Sequence, residues 1–132
     1  MIIVQGKPPN YAEIVRMFPA AAMRGTIFTY GEIVYVNGDP TLNTQLKAHE
    51  AVHIDQQRRA GGPDHWWDRY LEDATYRLEQ ELVAHRAEYR TLKHLVDRNT
   101  AARGLEFIAQ RLASPLYGGI VRPQEAKRLI LA

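Results

Sequence analysis

Apolar and polar positions along the chain change their spacing several times, and each change predicts an element. Residues 2–4 form a short apolar run closed by Gly6 and the Pro8-Pro9 pair, the pattern of a strand. Asn10 stands as an N-cap before a short helix with Ile14, Val15 and Phe18 facing inward and Pro19 as its stop. Two runs rich in β-branched and aromatic residues, 26–29 and 32–36, flank Tyr30-Gly31 and predict a β-hairpin. Asn37-Gly38-Asp39-Pro40 supplies its exit turn.

From about residue 41 the spacing becomes helical and stays so until Gly61-Gly62-Pro63. On a 100° wheel Leu42, Leu46, His49, His53 and Ala60 form one stripe, flanked by Gln56 and Gln57. Residues 64–73 place Trp66, Trp67, Tyr70 and Leu71 at helical spacing, and at that spacing such residues read as core. A longer helix over about 75–97 has Leu78, Leu82, Tyr89, Leu92 and Val96 inside, and another covers about 100–113. Ser114-Pro115 breaks the pattern, Gly118-Gly119 loosens it, and residues 124–131 close with a helical turn or two. There is no internal repeat, linker or low-complexity stretch.

A chain of 132 residues, 45% apolar or aromatic, suits one packed domain spanning 1–132. The fold class expected is α+β, mostly helical, with a small hairpin or sheet ahead of the histidine-bearing helix. Its formal charge of +2 gives no ground to expect a nucleic-acid partner. With no cysteine, thiolate chemistry is excluded and any metal must be held by nitrogen and oxygen. The first residues contain no basic leader with an apolar run, and no stretch approaches bilayer-spanning length. A soluble cytoplasmic protein with no membrane partner is therefore expected.

His49-Glu50-Ala51-Val52-His53 carries the chemistry. Histidines at i and i+4 of a helix lie on one face a turn apart, so both imidazoles can reach one ion while the helix keeps them rigid. Glu50 stands at the edge of that face, where it can take a proton from a coordinated water without being a ligand. Zinc suits imidazole and carboxylate donors and lowers the pKa of a bound water to roughly 7.

Two histidines leave a third ligand to be found. The position six beyond His53 is Arg59, which argues against a third histidine at short spacing, so a carboxylate on a later helix is expected. Glu72 and Glu79 project to the polar side, whereas Glu81 lies in the apolar stripe between Leu78 and Leu82, where an uncompensated charge is costly. Length gives a second criterion. His53 is seven residues before Ala60, about 10 Å along the axis, so Glu81 matches its level only if a new helix starts near Asp73-Ala74-Thr75. Without that break His65, Asp68 or Glu72 become better placed.

Glu88 is a rival on the same broad face, with a surface pairing to Arg86, Arg90 or Lys93 as its plainer reading. His85, one turn beyond Glu81 and facing inward, is either a second-layer partner, an oxyanion stabiliser or an ordinary core histidine. His65 and His94 read as solvent-facing. Tyr30 and Tyr35 mark a hairpin strand able to pair with an extended peptide, and Arg58-Arg59, Arg86 and Arg90 form an acidic-ligand patch only if they cluster.

The segments 26–31, 49–53 with Gln56-Gln57, Trp66-Trp67-x-x-Tyr70-Leu71, Arg77-x-x-x-Glu81-x-x-Ala84 and 114–118 together resemble small metallopeptidase-like proteins carried by bacteriophages and prophages. The resemblance implies a gluzincin-like zincin with His49, His53 and Glu81 on zinc and Glu50 as general base. It implies a peptide or protein substrate, residence in a bacterial host cytoplasm, or association with a virion. One departure stands out: His85 occupies the position where many gluzincins carry an acidic residue supporting a ligand histidine. An inactive metal-binding zincin serving phage structure or assembly is the alternative function, and the oligomeric state is left open.

Overall fold

A computed structural model describes residues 1–132. It is a mostly helical α+β fold with three short strands and six α-helices. The strands are β1 (Ile2–Gln5), β2 (Ile27–Tyr30) and β3 (Ile33–Val36). The helices are α1 (Tyr11–Met17), α2 (Thr44–Arg59), α3 (Pro63–Glu72), α4 (Ala74–Leu95), α5 (Arg98–Leu112) and α6 (Pro123–Leu131), with 3-10 turns at Pro19–Ala22 and Pro115–Tyr117. No helix is long and apolar enough to cross a membrane.

The hairpin forms one residue later than the pattern predicts. Tyr30 pairs with Ile33, so the two-residue loop is Gly31-Glu32. Gly31 has φ +65° and Glu32 has no positive φ, which is the arrangement that puts glycine first in a hairpin turn. β3 lies at the centre of the sheet, antiparallel to β2 and parallel to β1, in the order β1-β3-β2. β1 ends and β2 begins level with Val36, so β2 carries the chain back along the sheet and β3 then runs parallel to β1.

Cross-strand pairing decides which face each side chain takes. Thr29 is opposite Val34 and therefore shares its face, where Val34 and Val36 pack with Leu42 and Ile54 under α2. Phe28 points to the other face and joins Ile14 and Phe18 in the larger core, which continues through Trp66, Trp67 and Tyr70 to α5 and α6.

α2 begins at an Asn43 cap whose side chain accepts from Leu46 N at 2.9 Å. The break between α3 and α4 falls at Asp73, which ends one helix and caps the next by accepting from Tyr76 N at 3.0 Å. Helices α2 and α4 run antiparallel, since His49 meets Glu88 while His53 meets Glu81.

Candidate metal centre

The inward face of α2 presents His49 and His53 with their Nε2 atoms 3.2 Å apart. From α4, Glu81 places Oε1 at 3.5 Å from His49 Nε2 and Oε2 at 3.3 Å from His53 Nε2. All three residues are buried. A tetrahedral ion with bonds of about 2.0–2.1 Å has donors about 3.3–3.4 Å apart, and the three separations fall around that edge length. Glu81 Oε1 has no hydrogen-bond partner. A buried carboxylate oxygen left bare among imidazoles is a donor atom without an acceptor of its electron pair, so the set fits a divalent cation.

The outer nitrogens fix which way each ring works. His49 donates from Nδ1 to Glu88 Oε1 at 2.8 Å. His53 donates from Nδ1 to Gln56 Oε1 at 2.8 Å, because Gln56 spends its amide N–H on Gln80 O. With both Nδ1 atoms acting as donors, the Nε2 lone pairs of the neutral rings converge on the same point. Tyr70 donates to Glu81 Oε2 at 2.6 Å and sets the orientation of the carboxylate.

Glu50 is buried beside this set, with Oε2 at 3.7 Å from His49 Nε2. Its other oxygen accepts from Thr29 Oγ1 at 3.0 Å, so β2 holds the carboxylate with one oxygen free to face the donors. Gln57 keeps β2 against α2: it donates to Thr29 O at 2.7 Å and accepts from Gly31 N at 2.7 Å. Trp67 Nε1 donates to the same Thr29 carbonyl at 2.9 Å.

Electrostatics follow from these contacts. Burial works to lower the pKa of His49, but the Glu50, Glu81 and Glu88 carboxylates outweigh it and push it up to about 10. Burial likewise opposes charge on His53, and Glu81 nonetheless raises its pKa. Burial acts to raise Glu81, yet the His53 and His49 rings hold it well below the usual carboxylate range. Without a metal, the imidazoles hold the protons of this cluster and the Glu81 carboxylate is ionised beside them. Burial and the neighbouring carboxylates push the Tyr70 and Tyr117 phenols well above their ordinary value, which keeps both as O–H donors.

A cavity of about 210 Å³ opens onto the donors. Its apolar wall comes from α1 and the turn after it (Ile14, Phe18, Ala21), from β2 (Ile27, Phe28) and from Leu46 and Leu116. His49, Glu50, His53 and Glu81 also line it, as do Arg111 and Tyr117.

His49, Glu50, His53 and Glu81 are therefore brought together as their spacing predicts. Glu88 departs from its plainer expectation. It is buried, supports His49 and is paired with Arg111 rather than with Arg86, Arg90 or Lys93. Its signal was the seven-residue interval from Glu81, two turns along one face.

His85 is fully buried as expected, but its Nδ1 donates to Glu81 O at 2.7 Å and the residue does not line the cavity. Its Nε2 has no partner, and burial with the nearby His49 and Arg111 charges holds its pKa well below the usual value. The ring packs against His49 with centroids 4.6 Å apart, and Nδ1 also lies 3.5 Å from Glu81 Oε1, so His85 stands behind two of the candidate ligands, outside the cavity lining.

His65 and His94 are exposed. Tyr30 donates to Asp64, and neither it nor Tyr35 lines the cavity. Arg58 pairs with Glu32, Arg59 with Asp55 and Arg86 with Leu129 O. Thr29, Tyr70, Arg111 and Tyr117 were not foreseen as site residues, because their roles depend on contacts between distant segments.

No family model, curated protein or solved structure matches the chain.

Proposed function

We infer that this chain is a zinc-dependent hydrolase of peptide or similar amide bonds, with His49, His53 and Glu81 as the protein ligands. The observation that carries the reading is the convergence of two imidazole Nε2 atoms, 3.2 Å apart, with a buried carboxylate oxygen that has no other partner. Three protein donors leave a fourth position for water, the pattern of catalytic rather than purely structural zinc. When bound there, zinc supplies Lewis acidity, lowering the pKa of a coordinated water and polarising a carbonyl oxygen.

The chain's own groups do the remaining work. Glu50, held by Thr29, accepts a proton from water as the water oxygen bonds to the carbonyl carbon. The same carboxyl then delivers that proton to the departing amide nitrogen, which takes the electron pair of the breaking C–N bond. The products are a carboxylic acid and an amine, which after passing a proton between them become a carboxylate and an ammonium group. Glu88 and Gln56 keep the imidazoles oriented throughout, while the apolar walls of the cavity exclude bulk water.

The decisive comparison is wild type against Glu50→Gln, each assayed for zinc content and for cleavage of a quenched peptide library. One zinc per chain in both proteins, with turnover only in the wild type, is the expected result. Equal turnover refutes the role of Glu50, and a chain that takes up no zinc refutes the reading as a whole. Zinc in both with turnover in neither favours the alternative, a metal-binding protein of structure or assembly.

A further inference from the structure

The cavity is small for a peptide. His49, Glu50, His53 and Glu81 are each 5% exposed or less, and the space over them is about 210 Å³, below the roughly 300–1,000 Å³ of ordinary ligand sites. A chain with residues on both sides of its scissile bond reaches the donors only if part of the wall moves.

One wall is tied differently from the others. Between Gly6 N, which donates to Val36 O at 3.0 Å, and Ala22 O, which accepts from Asn37 Nδ2 at 3.1 Å, residues 7–21 hydrogen-bond only among themselves. Ile14, Phe18 and Ala21 are buried against the cavity, Tyr11 meets Phe28 edge-on with ring centroids 5.6 Å apart, and Arg77 stacks 4.7 Å over Phe18. Apolar and cation–π contacts alone hold the segment down, and they part without breaking a hydrogen bond. The walls from β2, α2 and α3 are instead bonded to one another through Thr29, Gln57 and Trp67. Gly25, at φ +95° with nothing within 4 Å of where a Cβ would stand, supplies a pivot just beyond the segment.

Asn10 acts in the same direction. The sequence marks it as an N-cap, yet its side chain makes no capping bond, and both of its amide atoms are enclosed without a partner. The Glu13 and Ile14 amides bond to its backbone oxygen instead, each at 3.1 Å. An amide that has lost water and gained no partner destabilises the arrangement that encloses it. Opening returns that amide to water, so α1 is closed with a bias toward opening.

We propose that residues 9–21 form a lid that swings away as a unit and admits a peptide to the donors. Closed, its apolar face keeps bulk water off the site. Its use in hydrolysis rests on the reading above, but the motion itself requires no metal.

The test is hydrogen exchange of the full chain, metal-free and zinc-loaded, read by mass spectrometry on peptides covering residues 10–21 and 44–59. In the wild type residues 10–21 should exchange at least about 100-fold faster than 44–59, at a rate that low urea barely changes, the mark of a local opening. Asn10→Ala removes the enclosed amide and should slow that exchange about 5- to 100-fold, whereas an Asn10 that merely supports the fold would speed it on removal. The rate at which EDTA strips zinc from the loaded chain should fall by a matching factor. Exchange of 10–21 no faster than that of 44–59, or unchanged or faster exchange in Asn10→Ala, overturns the lid. Slower exchange with unchanged stripping overturns its control of access. A wild type that takes up no zinc refutes the hydrolase reading, and the metal-free exchange then decides the lid by itself.

Discussion

His49 donates its Nδ1 proton to Glu88 across 2.8 Å, from the middle of α2 to a buried carboxylate on α4. That bond fixes the ring's tautomer and keeps Nε2 as the donor atom, and Arg111 holds Glu88 in turn. Replacing Glu88 with Gln should lower zinc affinity by about 10- to 100-fold without changing the stoichiometry. Competition against a chromophoric chelator measures this, and an unchanged affinity would make Glu88 a bystander.

The metal-free chain should have a narrow range of greatest stability. His49 is raised from 6.5 to about 10, so its contribution is complete below about 6.5 and is lost as pH rises through about 10. Glu81 is depressed below its ordinary 4.5, so its contribution is complete above that value and is lost as pH falls through the folded one. Thermal melts of metal-free protein should therefore peak between pH 4.5 and 6.5. Zinc must displace the imidazole proton, so the rise in melting temperature that it causes should grow as pH increases from about 5 to about 8.

Arg77 is a buried cation bonded to the carbonyls of Tyr70 and Tyr117 and stacked 4.7 Å over the Phe18 ring. Arg77→Met should cost roughly 3 kcal/mol in denaturant unfolding, since it strips two strong charge-assisted bonds from carbonyls that water does not reach easily. A loss below about 0.5 kcal/mol, the level of an ordinary surface substitution, would contradict this account of the clamp.

Adjacent glycines separate strain from crowding. Gly118 and Gly119 both have positive φ, but a Cβ on Gly118 would meet Phe18 at 3.0 Å and Arg77 at 3.3 Å, whereas one on Gly119 meets nothing within 4 Å. Gly119→Ala should cost about 1 kcal/mol from backbone strain alone, and Gly118→Ala visibly more. Paired unfolding curves compare them directly; equal losses would mean that Phe18 and Arg77 yield freely.

Local periodicity accounts for most of the helices and for the three donors, because an amphipathic stripe and an i to i+4 interval are properties of a single segment. The break at Asp73 followed from matching the level of Glu81 to that of His53, and the structure places it there. What periodicity could not supply was pairing over distance. Glu88 was weighed against the basic residues next to it in sequence, but its partners His49 and Arg111 lie 39 and 23 positions away. Likewise the position of β1 beside β3 depends on the path of the intervening chain, not on any feature of residues 2–4.

Because one aspartate both closes α3 and starts α4, it acts as the zero mark from which Glu81 is counted. A single residue inserted between positions 73 and 81 would swing that carboxylate by about 100° and carry it about 1.5 Å along the axis, away from both imidazoles. A change of length in the outer turns leaves that carboxylate where it is, whereas the eight-residue stride from the mark is fixed by geometry.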